Sequence, residues 1–223
     1  MKTKVLIVDD HPIFRMGMRE LLNQEDDFVV CGLAADMEEA RRALAEQEVD
    51  MAIIDITLAD DNGLELIREI RSSGRDIAIL VLSMHDETVW AERALRAGAR
   101  GYIMKKEASE SVICALRNIR KGQIHVSPGM VSVLLDRMHQ GSRDQGTSTV
   151  DLLTDRELEV FRLIGSGLST REIALQMNLG IKTIGTYRDR IKQKLGLKNG
   201  TELTRRAVLW AEQESLGPND STL

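Results

Sequence analysis

Residues 4–10 read KVLIVDD, four apolar residues (Val5 to Val8) closed by two aspartates. An unbroken apolar run this short suits a strand covered on both faces, as in a parallel sheet sandwiched by helices. The same event recurs down the chain. MAII (51–54) ends at Asp55, IAILVL (77–82) at Ser83 and GYIM (101–104) at Lys105, and FVVCG (28–32) adds another run of strand character. A parallel sheet with strands at those places gathers three carboxylates, a hydroxyl and an ammonium along its carboxyl-terminal edge, where open α/β sheets place their sites. Three carboxylates in one crevice repel unless a divalent cation and a lysine neutralise them. The pocket therefore suits a metal and a phosphoryl group. Asp55, alone at a strand end, is the natural nucleophile, because a carboxylate accepts a phosphoryl group as an acyl phosphate. Asp9 and Asp10 suit Mg²⁺ (or Mn²⁺), Lys105 pairs with Asp55 or the arriving phosphoryl group, and Ser83 offers a hydroxyl donor.

Helical periodicity fills the gaps between strands. Leu64, Ile67 and Ile70 recur in 63–72, Val89, Ala94 and Leu95 in 88–97, and Val112, Ala115, Leu116 and Ile119 in 111–119. Strand–helix alternation five times over predicts right-handed crossovers and a five-stranded, doubly wound parallel α/β sheet with helices on both faces. The pattern changes after Gly122. Ser127-Pro128 predicts a capped helix over about 127–139, and GSRDQGTSTVD (141–151) reads as a flexible linker. Beyond Leu152 no strand pattern returns. Thr154-x-x-Glu157, Ser169-x-x-Glu172 and Asn199-x-x-Glu202 mark helix starts near 155, 170 and 200, and a further helix over about 181–195 follows Gly180 without a side-chain cap. Four helices in some sixty residues predict a small all-α domain with a tight helix-turn-helix at QMNLG.

Bulk properties narrow the function classes. A chain of 223 residues, 43% hydrophobic and 29% charged, holds two core-forming domains. No run of about 18 apolar residues exists, and MKTKVLIVDD has neither a secretory apolar core nor a small-residue cleavage site, so a cytoplasmic protein with no membrane partner is expected. Cys31 and Cys114 stand alone, which argues against a disulfide framework or a zinc site. Charge is uneven. Residues 1–122 hold 17 Lys+Arg against 23 Asp+Glu, whereas residues 171–206 hold 9 against 3. An acidic half joined to a basic stretch suggests two tasks, the second with nucleic acid.

VLIVDDHP, IIDITLADDNGLEL, LSMHD and GYIMK, in that order and spacing, resemble the receiver domain of two-component systems over residues 1–122. The resemblance implies a flavodoxin-like fold with Asp55 as phosphoacceptor, Ser83 and Lys105 as its catalytic helpers, and Ser83 and Tyr102 as switch residues. It implies metal ligands from Asp9, Asp10, Asp55 and the backbone carbonyl of Thr57. Ala59 and Lys106 stand where many receivers have proline, and Thr57 and His85 occupy variable positions that tune phosphoryl lifetime. On phosphorylation Ser83 would turn inward and Tyr102 would fill the vacated space; the competing reading makes Tyr102 a buried structural residue.

The stretch LTDRELEVFRLIGSGLSTREIALQMNLGIKTIGTYRDRIKQKLGLKNGTEL resembles the LuxR-type helix-turn-helix. Together the halves resemble a response regulator of the NarL/FixJ class: receiver 1–122, linker 123–150, LuxR-type DNA-binding domain 151–213 and tail 214–223. The resemblance makes 181–195 the recognition helix. A helical wheel puts Ile181, Ile184, Ile191 and Leu195 on one face, with Lys182, Thr186, Asp189 and Gln193 opposite. Thr186 and Asp189 are expected nearest base edges, with Gln193 behind them as a further DNA-binding position; Thr meets a thymine methyl and Asp accepts from a cytosine amino group. Gly185 departs from the lysine common in the family; it costs roughly 1 kcal/mol of helix stability but allows close approach of backbone to DNA. Arg188 falls on the core side as a snorkelling arginine. Lys182, Thr183, Arg190, Lys192 and Lys194, with Ser169, Thr170 and Arg171 at a helix start, are phosphate-contact candidates. Leu203, Val208, Leu209 and Trp210 on the last helix form a dimer surface in the family, or close the small core.

The expected function is a phosphorylation-controlled, DNA-binding transcriptional regulator, with a sensor histidine kinase and double-stranded promoter DNA as partners and a homodimer as the active form. An enzyme using an aspartyl-phosphate intermediate is the rival from another class. It is disfavoured because no substrate-cap insertion is present, leaving only self-directed phosphoryl uptake and loss. A phosphorylation-independent regulator with a vestigial pocket is disfavoured by the full set Asp9, Asp10, Asp55, Ser83 and Lys105.

Overall fold

The computed structural model describes residues 2–58, 61–84, 87–139 and 149–215. Ala59, His85, residues 140–148 of the expected linker and residues 216–223 of the tail lie outside them.

β1 (Thr3–Val8) sits between β2 (Phe28–Ala34) and β3 (Met51–Asp55), and Val5 to Val8 have no solvent exposure. β6 (Ala78–Ser83) and β7 (Gly101–Met104) complete a five-stranded parallel sheet of order β2-β1-β3-β6-β7. α1 (Pro12–Asn23), α2 (Met37–Glu46), α3 (Gly63–Ser72), α4 (Glu87–Ala97) and α5 (Ala108–Arg120) supply the crossovers. Order reverses between β1 and β3, so the crevice at their carboxyl ends is the topological switch point. The doubly wound fold expected of the first half is present.

Asp55 closes β3, and the chain then turns back through a two-plus-two-residue antiparallel pair, β4 (Thr57–Leu58) with β5 (Asp61–Asn62). The buried Asn62 side chain caps α3 by accepting from the Leu64 N–H at 2.8 Å. Gly63, first in α3, donates its N–H to the Ile56 carbonyl at 2.7 Å. A Cβ at Gly63 would lie 1.9 Å from the Asp55 carbonyl oxygen, so only glycine lets α3 start so close to β3.

The helix expected over 127–139 is α6 (Pro128–His139), with Ser127 Oγ accepting from the Met130 N–H at 3.1 Å. It belongs to the first of two compact units, 1–141, and packs against α4 with Met130 buried. The segment leading into it adds to the free edge of the sheet. His125 bridges Gly101 in parallel, its carbonyl accepts the Tyr102 N–H at 2.9 Å, and its N–H reaches the Arg100 carbonyl at 2.9 Å. The Glu87 carboxylate accepts the Ser127 N–H at 2.8 Å. Backbone groups that an edge strand leaves bare are thereby paired.

Among the described residues the second unit, 142–223, holds helices and no strand: α7 (Asp155–Gly165), α8 (Thr170–Gln176), α9 (Ile181–Leu195) and α10 (Gly200–Ser215). Thr154/Glu157 and Ser169/Glu172 form reciprocal capping boxes, and Asn199 accepts from the Glu202 N–H at 2.9 Å. Gly180 opens α9 with no side-chain cap. Leu158, Phe161, Ile173, Ile184, Ile191, Leu203 and Ala207 are buried, and Trp210 stacks obliquely on Phe161 with ring centroids 5.6 Å apart. One wheel assignment needs correction. Ile181 is 56% exposed, because it is the first residue of α9 and precedes the turn that reaches the core through Ile184.

Candidate functional site

The strand ends meet as expected. Asp9, Asp55 and Ser83 are at most 2% exposed, and the Lys105 side chain is 5% exposed. Lys105 follows β7, and its Nζ lies 2.7 Å from Asp9 Oδ2 and 2.7 Å from Asp55 Oδ2. The ammonium thus bridges two buried carboxylates, and it also lies 4.7 Å above the Phe14 ring centre. The Thr57 N–H points at Asp55 Oδ1 (3.2 Å) and the His11 N–H at Asp9 Oδ1 (2.8 Å). Arg15 donates to the Asp9 carbonyl, which anchors the β1–α1 turn.

Electrostatics set the pocket's state. Burial, with Asp9 adding to it, outweighs the pull of the Lys105 ammonium and leaves the Asp55 carboxyl raised to about 6. Burial works against the Lys105 ammonium, but Asp55 and Asp9 outweigh it and the net shift is upward. Asp9, Asp10, Asp55 and His11 each offer a ligand atom within 4.8 Å of the others. Three carboxylates facing one ammonium leave two negative charges, and hard oxygen donors beside a partly open Asp10 suit a small divalent cation that retains water. His11 Nδ1 sits 2.7 Å from Asp10 Oδ1. The sequence reading passed over His11, although its adjacency to Asp9-Asp10 was visible.

Ser83 ends β6 in register with Met104, and Tyr102 sits opposite Val81, so the two switch candidates lie on adjacent strands. Tyr102 is already inside, 1% exposed. Its backbone N–H is the group that holds His125, so the strand bearing this aromatic also carries the segment leading to α6.

On α9, Lys182, Thr183, Thr186, Asp189, Arg190 and Gln193 are exposed, as are Ser169 and Arg171 at the start of α8; Thr170 and Gly185 are half-buried. Several of these groups already have partners. Lys194 Nζ contacts Glu157 Oε2 at 2.6 Å, and that carboxylate is buried, capping α7 through the Thr154 N–H at 2.8 Å. Lys194 therefore pins α9 to α7, a role its place in a basic cluster concealed. Lys192 pairs with Asp189 at 2.9 Å, and the Thr186 hydroxyl donates to the Lys182 carbonyl at 3.1 Å. Arg188 is half-buried, with Nη2 3.9 Å from where a Cβ on Gly200 would stand, in keeping with its core-side placement.

Each of the two units is matched by a family model. The receiver-domain model of response regulators matches residues 5–117, and that of bacterial regulatory proteins of the luxR family matches residues 151–207. The chain belongs to the response regulators with a luxR-type output domain, DNA-binding regulators of transcription whose activity is set by phosphorylation. It is 34% identical over 209 residues to the oxygen regulatory protein NreC of Staphylococcus carnosus, covering 92% of this chain and 96% of that protein. A similar structure is RcsB of Salmonella enterica serovar Typhimurium, bound to promoter rprA with the phosphomimetic BeF₃⁻. It is 27% identical, with a TM-score of 0.60, covering 93% of this chain and 99% of that one. A LuxR-family response regulator from Aurantimonas is 32% identical, with a TM-score of 0.57, over 62% of this chain and 99% of that one. Among the described residues no helix is long and apolar enough to cross a membrane.

Proposed function

We propose that Asp55 receives a phosphoryl group from a sensor histidine kinase and that this raises the affinity of α9 for promoter DNA. The bridge from Lys105 to both Asp9 and Asp55 carries the reading, since it places a cation where an arriving phosphoryl group needs one. Asp9, Asp10, Asp55 and the Thr57 carbonyl would hold Mg²⁺ (or Mn²⁺). When bound, the ion neutralises the excess negative charge and shields the phosphoryl oxygens. Lys105 then exchanges its carboxylate partner for a phosphoryl oxygen, and the buried Ser83 hydroxyl donates to another. The chemistry is self-directed uptake and loss of phosphate, not turnover of a second substrate.

The signal leaves through β6 and β7. A shift at Ser83 is felt by Tyr102, whose N–H grips His125, and by α4, whose Glu87 grips Ser127. Tyr102 is inside in this structure, so its proposed switching role rests on a change in its packing and in the hold on His125. Two grips on the stretch that precedes α6 give the pocket a mechanical route toward the DNA-binding unit. Thr186 and Asp189 would read bases, and Ser169, Thr170, Arg171, Lys182, Thr183 and Arg190 would contact phosphates. The exposed Leu209 of α10 would contribute to a homodimer suited to paired half-sites. Kinase and promoter are both reached from the cytoplasm, which is where the protein would act.

Incubation with acetyl phosphate tests the acceptor. Wild type should gain one phosphoryl mass in Mg²⁺ and none in excess EDTA, and Asp55→Asn should gain none in either. Undiminished labelling of Asp55→Asn would sink the assignment.

A further inference from the structure

Several glycines among the described residues have a reason within the fold. Gly63 abuts the Asp55 carbonyl, and Gly165 faces the Ala207 carbonyl oxygen, 2.5 Å from where a Cβ would stand. Gly167 and Gly196 have φ of 85° and 67°. Gly185 has none of these reasons. It lies in the second turn of the fifteen-residue α9, its φ is not positive, and a Cβ there would meet nothing within 4 Å. Glycine in such a place loses helix stability that alanine would return. Gly17 is as open within α1, so openness alone assigns no role; what sets Gly185 apart is its place on the helix that carries Lys182, Thr186 and Asp189.

Its neighbours say what approaches. Lys182, Thr186 and Asp189 flank Gly185 on the exposed side of α9, spaced three residues before it, one after and four after. Asp189 is held by Lys192, so a carboxylate on this face does not meet DNA as a bare charge. The Thr186 hydroxyl is bonded back to its own helix, which leaves the methyl as the part most available to a base. Neither side chain is long. Both reach base edges only if the helix axis lies deep in the groove, and a side chain at 185 would hold it off.

We propose that Gly185 is a specificity-determining position at which the backbone of α9 lies directly against the duplex. The missing side chain sets the depth of the helix and brings Thr186 and Asp189 to base edges. The inference rests on the reading of α9 as the recognition helix.

The test sets stability against binding in the full-length protein. The probe is duplex DNA from upstream of the chain's own gene, with sonicated non-specific DNA as reference. Gly185→Ala should raise the melting temperature of the helical unit by about 4–8 °C. It should weaken binding to the specific duplex by about tenfold while leaving non-specific binding unchanged. Gly185→Leu should weaken specific binding further. Gly17→Ala, a control in the equally open interior of α1, should change neither affinity. Unchanged or tighter specific binding by Gly185→Ala would overturn the proposal, as would a failure of that variant to gain stability. Absence of specific binding by wild type itself would instead overturn the reading of α9.

Discussion

Lys105→Met is expected to destabilise the metal-free receiver by about 3 kcal/mol at pH 8, because it strands two buried carboxylates that now share one ammonium. The pH dependence follows from Asp55, whose folded carboxyl is already raised to about 6 with Lys105 in place. A raised carboxyl means the folded state holds a proton that the unfolded chain has released, so stability falls as pH rises through that window. For wild type the fall ends near pH 6. Without Lys105 the Asp55 carboxyl moves higher still, and the decline continues toward pH 8. The gap between variant and wild type in urea unfolding should therefore widen from pH 5.5 to pH 8, and added Mg²⁺ should narrow it. A gap independent of pH would show that Lys105 acts through packing on Phe14 and not through charge.

Gly63→Ala should cost about 3 kcal/mol or more and abolish phosphoryl uptake, although Gly63 carries no chemistry. The added methyl would stand 1.9 Å from the Asp55 carbonyl oxygen and 3.0 Å from Ile54 Cγ2. Backbone cannot rotate out of the way as a flexible side chain can. Relief requires moving either the end of β3, which carries Asp55, or the start of α3, which Asn62 caps. Either displacement disturbs the acceptor. Urea unfolding and the acetyl phosphate labelling rate check both halves. Stability within about 0.5 kcal/mol of wild type with normal labelling would show that this turn has slack.

What could be read from the chain, and what could not, divides along physical lines. Continuous apolar runs such as Val5–Val8 and Ile79–Leu82 mark strands buried on both faces, so the strands and the polar residues at their ends were legible. The capping boxes at Thr154 and Ser169 were equally explicit, because each is a local exchange of hydrogen bonds between residues three apart. The β4–β5 pair was not, since two residues per strand carry no period. Nor was the addition of His125 to the sheet edge, which uses backbone groups that every residue possesses. Residue type hid Lys194 and Gly63 in opposite ways. The lysine read as one more phosphate contact until the buried Glu157 appeared beside it, and the glycine carried no signal until the Asp55 carbonyl did. In both, the deciding partner is distant in sequence or consists of backbone alone.

The grips on His125 and Ser127 matter because they make the stretch before α6 part of the receiver's edge and not a passive tether. A change in Ser83 or Tyr102 packing can then bias a discrete arrangement, as a two-state switch requires.

If occupancy at Asp55 controls DNA affinity, equilibrium binding to the upstream duplex must differ with and without beryllofluoride and Mg²⁺. Wild type should bind between about 5-fold and 150-fold more tightly with beryllofluoride, the usual span of coupling between two sites, while Asp55→Asn should not respond. Equal affinity of wild type in both conditions would contradict the account.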